Sequence, residues 1–400
     1  MTFWAAVRNW CHSAHVRIFL SIPTLLAVAL CRGFRRKRRT SLSSILLTRL
    51  DGLGDCVMTL PLLDQLNYQF PEARITVVTL SAAKPIFEAS PSVHEVLVLH
   101  PLPYTQLTYF KYLCGALALY WRSLRGRYFD MAINPRWDMD QTFATMLCSL
   151  TRAPETVGYQ DNTSHKKSVW NRGFQSAWNF LLPPGPLQHE VLRNLAVGRA
   201  VGCAESFGPP RIIITPKQHQ ASVAWLGVQS GKFIAVGLSA GHAMRRWSAE
   251  SYVQTLQILR PHLSAVPVLF CDEATQAAAD QIIAEIPYAR LARSFPLMET
   301  AALLSECSLF VGSDSGLGHV AAAVGCPTVT ISPHPSGGNP GHANSPARFH
   351  PFGNDSIVVQ PKEPRLGCIE GCQSTVPHCI LDVTPEDVAI GVLRLLRIPL

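Results

Sequence analysis

The first 40 residues of this 400-residue chain contain no aspartate and no glutamate. Their eight basic residues are Arg8, Arg17, Arg32, Arg35, Arg36, Lys37, Arg38 and Arg39. The net charge of the whole chain is +8, so residues 41–400 carry no net charge. A general nucleic-acid-binding protein needs a basic face on its globular body. This charge distribution excludes that class, and no nucleic-acid partner is expected.

The apolar stretch at 16–31 lacks the length of a membrane-spanning helix, which takes about 20 residues. Its uncharged part, 18–31, has 14 residues and contains Pro23. The basic run 32–39 follows at once, as expected for docking on the anionic cytoplasmic surface of an inner membrane. We therefore expect 1–40 to be a membrane-associating segment that attaches a cytoplasmic protein peripherally. A helix packed on the domain and a signal peptide are the alternatives, although no small-residue cleavage site follows.

The twelve cysteines lack the spacing of a secreted disulfide framework, and most lie in apolar runs, which fits a reducing compartment. Cys368, Cys372 and Cys379 are one thiol short of a closed zinc site. His378 could supply a fourth ligand, but its adjacency to Cys379 makes shared tetrahedral ligation awkward. The sequence therefore predicts a disulfide or free thiols, and no metal or cofactor is assigned.

Apolar runs alternate with helical patterns along the first half of the chain. The predicted strands are 44–50, 74–80, 95–99 and 129–134, and the predicted helices are 57–70, 85–90, 109–124 and 189–201. The polar segment 160–188 is predicted to be a loop. Its Lys166 and Lys167, together with Arg136 earlier in the chain, are expected to line an acceptor site. The alternative is that they simply cover a surface. Strands that alternate with helices indicate a parallel, doubly wound sheet.

The same alternation restarts after a candidate linker at 205–210. Strands are predicted at 233–238, 266–270, 309–311 and 328–331, and helices at 248–260, 274–286, 298–304 and 384–397. Two Rossmann-like α/β halves follow from this pattern, with domains at 41–207 and 208–400. Ligands of such sheets bind at the carboxyl ends of the strands, so a cleft between the halves is the expected site.

The most informative stretch is Gly312-Ser-Asp-Ser-Gly-Leu-Gly-His-Val-Ala-Ala-Ala-Val-Gly325. It lies between two predicted strands, in the order strand, glycine-rich turn, helix, strand. Gly316 and Gly318 allow backbone to approach a ligand closely, and a helix N-terminus favours a phosphate. His319 could donate to a phosphate oxygen. The alternative is a tight turn in which Asp314 is only a helix cap.

Other charged residues also follow predicted strands. Asp55 could take a proton from a substrate hydroxyl, or it could cap a helix that starts at Val57. Arg245 and Arg246 suit the oxygens of a diphosphate, or form a solvated pair. Asp272 and Glu273 could hold ribose hydroxyls.

Five segments in order resemble the ADP-heptose:lipopolysaccharide heptosyltransferases, glycosyltransferase family nine. They are the opening motif 51–63, the helix 189–202, the loop 245–248, the signature 313–327 and the tail 368–388. The resemblance covers roughly residues 43–395. It implies a GT-B fold, with the acceptor in the first half and an ADP-sugar in the second.

The resemblance also implies roles for individual residues. Asp55 matches the general base. The nucleotide-sugar loop corresponds to Asp314, Ser315, Gly316, Leu317 and His319. Arg245 falls where the family commonly has a lysine near the diphosphate, and Ser239 falls near its small hydroxyl residues. The family's Lys-Arg-Trp-Pro is Arg-Arg-Trp-Ser here, and its usual threonine beside the signature aspartate is Ser315.

These observations predict an inverting glycosyltransferase that moves a sugar onto a lipopolysaccharide core or related lipid-linked glycan. The favoured sugar is heptose, and its donor is ADP-heptose. Two alternatives use the same fold. One is a nucleotide-sugar epimerase, and the other is a non-catalytic protein that binds sugars or assists assembly.

Overall fold

The computed structural model describes residues 16–37, 41–102, 108–204, 207–227, 233–353, 355–370, 372 and 374–399. Arg8, Arg38 and Arg39 of the basic N-terminus, and Glu205 and Ser206 of the predicted linker, lie outside these residues. The chain forms two compact units. Unit 1 comprises the described residues of Met1–Gly52, Thr59–Pro186 and Leu192–Gly208, and unit 2 those of Leu53–Met58, Leu187–Val191 and Pro209–Leu400. The predicted domain limits at 41–207 and 208–400 stay a prediction.

Unit 1 contains a six-stranded parallel sheet. Its strands are β1 (Ser44–Arg49), β2 (Arg74–Thr79), β3 (Glu95–Val98), β4 (Met131–Ile133), β5 (Glu155–Tyr159) and β6 (Phe180–Leu182). Their order is β3-β2-β1-β4-β5-β6, and every neighbouring pair is parallel. This is the Rossmann order, in which the strand order reverses between β1 and β4.

Unit 2 repeats this topology. Its strands are β7 (Phe233–Gly237), β8 (Val266–Cys271), β9 (Arg290–Arg293), β10 (Leu309–Ser313), β11 (Thr328–Ile331) and β12 (Ser356–Val359). They lie in the order β9-β8-β7-β10-β11-β12, again all parallel. The strand order therefore reverses between β7 and β10, and a Rossmann sheet binds its ligand at that point.

Helices connect the strands. They are α1 (Ile22–Arg32), α2 (Leu53–Val57), α3 (Leu60–Gln69), α4 (Lys84–Glu88), α5 (Thr108–Leu119), α6 (Ala144–Leu150), α7 (His165–Trp170), α8 (Glu190–Ala200), α9 (Pro216–Leu226), α10 (Ala249–Leu259), α11 (Gln276–Glu285), α12 (Leu297–Ser305), α13 (Gly316–Ala323), α14 (Pro346–Phe349) and α15 (Pro385–Leu395). Short π-helical turns, Arg17–Ser21 and Tyr120–Leu124, precede α1 and follow α5.

Four strands and several short helices were not predicted. Three of the four strands, β6, β9 and β12, lie at sheet edges. β6 and β12 are apolar runs of only three and four residues, and Arg290 and Arg293 interrupt the apolar pattern of β9. The predicted loop 160–188 is wrong in part, since it contains α7 and β6. The helix predicted at 57–70 is α3, which begins three residues later at Leu60 with Pro61 in its first turn, and the separate helix α2 precedes it.

Helix α1 packs one side on unit 1. Its Ala27, Val28 and Cys31 are buried, and Ala27 and Val28 join a core cluster with Phe143 and Leu147 beside β4. This is the packed helix that the sequence left as an alternative. Within the described residues, no helix combines the length and the hydropathy needed to cross a bilayer.

A buried tyrosine joins the two central strands of unit 2. The Tyr252 hydroxyl donates to the Gly237 carbonyl at 3.0 Å, and the Ser313 amide donates to the same hydroxyl at 3.1 Å. Burial raises the pKa of Tyr252 to about 12, so the phenol keeps its proton. The ends of β7 and β10 are thus held together where the strand order reverses.

Gly312 on β10 leaves no room for a side chain. A Cβ at this position would lie 2.7 Å from the Gly237 carbonyl oxygen and 2.8 Å from the Phe310 ring. We expect Gly312→Ala to lower the free energy of unfolding by about 1–3 kcal/mol, since backbone must move to relieve the contact. Urea denaturation followed by circular dichroism measures the change.

Gly241→Ala is the matched control, because a Cβ on Gly241 meets nothing within 4 Å. Equal denaturation midpoints for the two variants would contradict the tight packing of β10 on β7.

Candidate functional site

Two loops leave the sheet of unit 2 at the point where the strand order reverses. One follows β7 and contains Ser239, Arg245 and Trp247, and the other is the short turn from β10 into α13. The Trp247 amide donates to the Ser313 hydroxyl at 3.2 Å. This hydrogen bond brings the arginine-bearing loop against the start of α13.

The N-terminus of α13 offers unused hydrogen-bonding groups. Ser315 is the N-cap residue in extended conformation, and its hydroxyl makes no capping hydrogen bond. Within the described part of the chain, that hydroxyl is buried without a hydrogen-bond partner. Asp314 is therefore not the cap of α13, and its backbone amide donates to the Ile331 carbonyl at 2.9 Å. Gly316, Leu317 and Gly318 form the first turn of the helix.

Arg245 links three parts of this site. Its Nη1 lies 3.4 Å from Asp314 Oδ2, and its Nη2 donates to Asn344 Oδ1. The Nε groups of Arg245 and Arg246 are buried, and neither has a hydrogen-bond partner among the residues described. A buried N–H without a partner costs free energy, so these groups are suited to an anionic ligand.

Burial is the main cause of two pKa shifts at α13, and nearby charges modify both. Burial raises the pKa of the Asp314 carboxyl, and the positive charge of Arg245 lowers it in part. Burial lowers the pKa of His319 to about 4, and repulsion from His350 and Arg245 adds to the effect. His319 is therefore neutral near pH 7 and can donate one hydrogen bond to a ligand.

The segment that carries Asp55 belongs to unit 2 and lies against α13. A Cβ on Gly54 would lie 2.6 Å from Cδ2 of His319, so only glycine permits this approach. A Cβ on Gly316 would lie 2.8 Å from the Leu53 Cβ. Asp55 lies within α2 and does not precede a helix at Val57, so the prediction that it caps such a helix is wrong.

Two predicted ligand residues follow β7 and β8. The Ser239 hydroxyl accepts from the Asp272 amide at 3.0 Å and lies 3.1 Å from the Thr275 hydroxyl. These contacts tie the two loops together. Glu273 is exposed in the short 3₁₀ turn that follows β8.

Sequence reasoning missed residues that support this site. His334, beyond the end of β11, is buried and stacks on His342 with ring centroids 5.5 Å apart. The signal available was its position after a predicted strand. Arg348 is buried and donates to Glu190 through Nε at 3.0 Å and Nη2 at 2.8 Å. No sequence motif indicates this pair, because the two residues are 158 positions apart in the chain.

The predicted acceptor residues lie in unit 1. Arg136 forms an ion pair with Asp51, which also lies 3.2 Å from Arg49 Nε. The Asp51 side chain is only 3% exposed, so this ion pair is buried at its acidic end. Asn134, directly after β4, accepts from the Arg136 amide at 3.1 Å. This polar cluster lies at the reversal of strand order in unit 1.

The two lysines differ in their surroundings. Lys167 is buried, and its Nζ donates to the carbonyls of Arg136 and Trp137, both at 3.2 Å. Burial lowers the pKa of Lys167 to about 8, and the nearby Asp161 and Asp140 raise it in part. Lys167 thereby holds the loop that carries Arg136, whereas Lys166 is exposed.

Comparisons with known proteins agree with this fold. The family model described as "Glycosyltransferase family 9 (heptosyltransferase)" matches residues 117–344. Lipopolysaccharide heptosyltransferase 3 of Escherichia coli K12 is 24% identical over 288 residues, which cover 70% of this chain and 79% of that protein. Lipooligosaccharide heptosyltransferase 2 of Haemophilus influenzae is 24% identical over 360 residues, or 86% of this chain and 96% of the relative.

Solved structures show the same fold. Glycosyltransferase family 9 from Veillonella parvula matches with a TM-score of 0.69 and 19% identity, over 90% of this chain and 99% of that one. ADP-heptose lipopolysaccharide heptosyltransferase II of E. coli matches with a TM-score of 0.65 and 19% identity, over 88% and 98%. The predicted α/β fold of GT-B type with two Rossmann-like halves is confirmed.

The low pKa of His319 predicts a pH-dependent stability. Unfolded histidine titrates near 6.5, so between about pH 6.5 and 4 the unfolded chain binds a proton that the folded chain does not. The free energy of unfolding should fall across this window as the pH is lowered, by up to about 3 kcal/mol from this residue. Urea titrations at several pH values measure the loss.

The free energy of unfolding of His319→Gln should fall less than that of the parent across the same pH window. His262→Gln, at an exposed position, should lose as much stability as the parent chain. Parallel pH profiles for His319→Gln and the parent would mean that His319 titrates normally.

Proposed function

The chain belongs to glycosyltransferase family 9, the heptosyltransferases, and from that premise we propose that it moves heptose from ADP-heptose onto a lipopolysaccharide core or a related lipid-linked glycan. The family assignment supports a transferase over the epimerase and the non-catalytic alternatives. Lipopolysaccharide core heptosyltransferase OpsX of H. influenzae, 21% identical over 79% of this chain and 84% of its own length, points to the same class of acceptor.

One observation carries the donor assignment. The Nε groups of Arg245 and Arg246 and the Ser315 hydroxyl are buried and lack partners among the described residues, where the strand order of unit 2 reverses. These donors surround the N-terminus of α13, whose amides and dipole favour negative charge. A diphosphate has enough acceptor oxygens for all three groups, so we assign the ADP diphosphate to this position.

Neighbouring residues suit the rest of the donor. Glu273 is exposed after β8 and is available for ribose hydroxyls. His319, neutral near pH 7, can donate to a phosphate oxygen without adding charge. Arg245 replaces the lysine that the family commonly has, and its guanidinium contacts Asp314 and Asn344 while its Nε remains for the ligand.

Asp55 is the proposed general base. It lies in the first turn of α2, next to Gly54, whose backbone lies against the His319 ring. The carboxylate-bearing segment and the proposed diphosphate site are therefore parts of one compact unit. A carboxylate near the donor sugar can accept the proton of an incoming hydroxyl.

The reaction is a single in-line displacement. Asp55 takes the proton of the acceptor hydroxyl as that oxygen forms a bond to the anomeric carbon. The bond from the anomeric carbon to the diphosphate oxygen breaks, and ADP leaves with its electron pair. Arg245, the Ser315 hydroxyl and the first amides of α13 stabilise the charge that develops on the diphosphate. One displacement inverts the configuration at the anomeric carbon.

The acceptor site is proposed in unit 1. Arg136 and Lys166 are the cationic candidates for the phosphorylated or acidic part of a glycan. Arg136 is held by Asp51, and the buried Lys167 fixes the backbone of its loop. Because these contacts fix the position of Arg136, the cluster is preorganised for a ligand.

The exposed side of α1 and the turn before it supports the finer proposal of peripheral attachment to the cytoplasmic surface of the inner membrane. An apolar stripe lies at a spacing of four residues and is 49–70% exposed: Ile18, Ile22, Leu26, Leu30 and Phe34. Arg32 and Lys37 are exposed beside it, whereas Arg35 donates to the Ala177 carbonyl and anchors the segment to unit 1. An apolar stripe flanked by cations suits an anionic lipid surface.

Asp55→Asn tests the reaction. We expect transfer from ADP-heptose to a lipopolysaccharide core acceptor, followed by mass spectrometry of the product, to slow about 10²–10⁴-fold because the general base is lost. Calorimetry should show ADP-heptose affinity within about twofold of the parent, since the diphosphate contacts remain.

Glu72→Gln, an exposed carboxylate in the turn before β2, is the control and should keep full activity. Normal turnover by Asp55→Asn would remove Asp55 as the base. A parent chain that binds ADP-heptose but heptosylates no core acceptor would favour the non-catalytic alternative.

The double variant Leu26→Ser/Leu30→Ser tests membrane attachment. Flotation with vesicles that contain phosphatidylglycerol should show partitioning at least about tenfold weaker than the parent, since two exposed leucines no longer bury apolar surface in the lipid. Leu187→Ser/Leu192→Ser changes two exposed leucines elsewhere and should float as the parent does. Equal flotation of all three proteins would refute the role of the stripe.

A further inference from the structure

The cysteine-rich tail lies in the long connection between β12 and α15. Residues 360–383 contain one short 3₁₀ turn, Cys379–Asp382, as their regular structure among the positions described. Loops of this length with so little regular structure are uncommon in compact domains and are usually either functional or disordered. Ile380 and Val383 at the end of the loop are buried in the core of unit 2, so the far end of the loop is fixed.

Four ligand-type side chains converge in this loop. The sulfur atoms of Cys368, Cys372 and Cys379 and a ring nitrogen of His378 all lie within 4.8 Å of one another. Nδ1 of His378 lies 3.8 Å from the Cys368 sulfur, 3.5 Å from the Cys372 sulfur and 3.3 Å from the Cys379 sulfur. One nitrogen atom thus faces all three thiols.

The three nitrogen–sulfur separations match the corresponding edges of a metal-centred tetrahedron. Zinc lies about 2.3 Å from a thiolate sulfur and about 2.05 Å from an imidazole nitrogen, so the tetrahedral angle gives a sulfur–nitrogen edge of about 3.6 Å. The three observed distances, 3.3–3.8 Å, bracket this value. A disulfide would use two of the thiols and leave the position of the imidazole without a reason.

The adjacency of His378 and Cys379 does not prevent the convergence, contrary to the expectation from the sequence. The backbone at His378 has φ −142° and ψ −89°, which is neither helical nor extended. In this conformation the two neighbouring side chains turn to the same point. Cys368 and Cys379 are buried and the other two ligands are half-buried, which suits a closed structural site.

We propose that Cys368, Cys372, His378 and Cys379 bind one zinc ion in a closed Cys₃His site. Three thiolates and an imidazole are a ligand set that zinc favours. The ion joins the two ends of a loop that the ion pair between Arg365 and Asp382 also connects, with both N···O distances 2.6 Å.

The cysteine-rich loop is hydrogen-bonded to the segment 333–345. The Asn339 amide donates to the Ile369 carbonyl at 2.9 Å, and the Asn339 side chain donates to Glu370 at 2.7 Å. The same segment, 333–345, carries Asn344, which accepts from Arg245. The cysteine-rich loop therefore supports the segment whose Asn344 contacts Arg245.

Metal analysis of the full-length protein tests the proposal. Protein purified under reducing conditions with zinc in the medium should contain about one zinc per chain by inductively coupled plasma mass spectrometry. Cobalt-exchanged protein should show thiolate-to-cobalt charge transfer and the intense visible bands of tetrahedral Co²⁺. Zinc content in Cys372→Ser should fall at least about tenfold, whereas Cys114→Ser, which changes a half-buried cysteine of α5, should keep it.

Hydrogen exchange gives a second readout that is independent of catalysis. Removal of the ion by a chelator should speed amide exchange in 333–345 and 360–383, with β1–β6 unchanged. If Cys372→Ser fails to fold, the zinc content and the cobalt spectrum of the parent chain still decide whether the four residues bind a metal ion.

Three outcomes would overturn the proposal. They are the absence of stoichiometric metal from the parent chain, a disulfide between two of the three cysteines in the reduced preparation, and equal zinc content in Cys372→Ser and the parent. Stoichiometric iron in place of zinc would overturn the identity of the ion.

Discussion

The reversal of strand order between β7 and β10 is the constraint on which the donor site depends. At that point the loops that follow the two strands turn to opposite sides of the sheet and leave the carboxyl edge open. The Tyr252 hydroxyl forms hydrogen bonds to both strands there, and the Trp247 amide donates to the Ser313 hydroxyl. These bonds fix the ends of β7 and β10 relative to each other. The N-terminus of α13 therefore lies at this edge, where a Rossmann sheet binds its ligand.

Arg245 connects the electrostatics of the site to its structural support. Its contacts with Asp314 and Asn344 fix the guanidinium, and its Nε is left buried without a partner within the described chain. A fixed donor needs little reorganisation when charge develops on a leaving diphosphate. The segment that carries Asn344 is in turn bonded to the cysteine-rich loop through Asn339, so support for Arg245 extends to the C-terminal region of unit 2.

The sequence predicted the interior of the fold better than its edges. The apolar runs at β1, β2, β7, β8, β10 and β11 have a continuous pattern because both faces of each strand are buried. Among the edge strands, β9 loses that pattern at Arg290 and Arg293, and β6 and β12 are only three and four residues long. Likewise Asp55, Arg245 and Ser315 could be found because each follows a predicted strand, whereas the pairing of Glu190 with Arg348 depends on residues far apart in the chain.

By itself the sequence determined the class of fold, the family and the residue types available for chemistry, because these follow from local patterns and short motifs. Only the tertiary structure decided how those residues are used. Lys167 is buried and supports the loop that carries Arg136, and Ser315 is the N-cap residue of α13. The neighbours His378 and Cys379 converge with two other thiols. Burial and convergence are properties of the packed chain, and no local pattern encodes them.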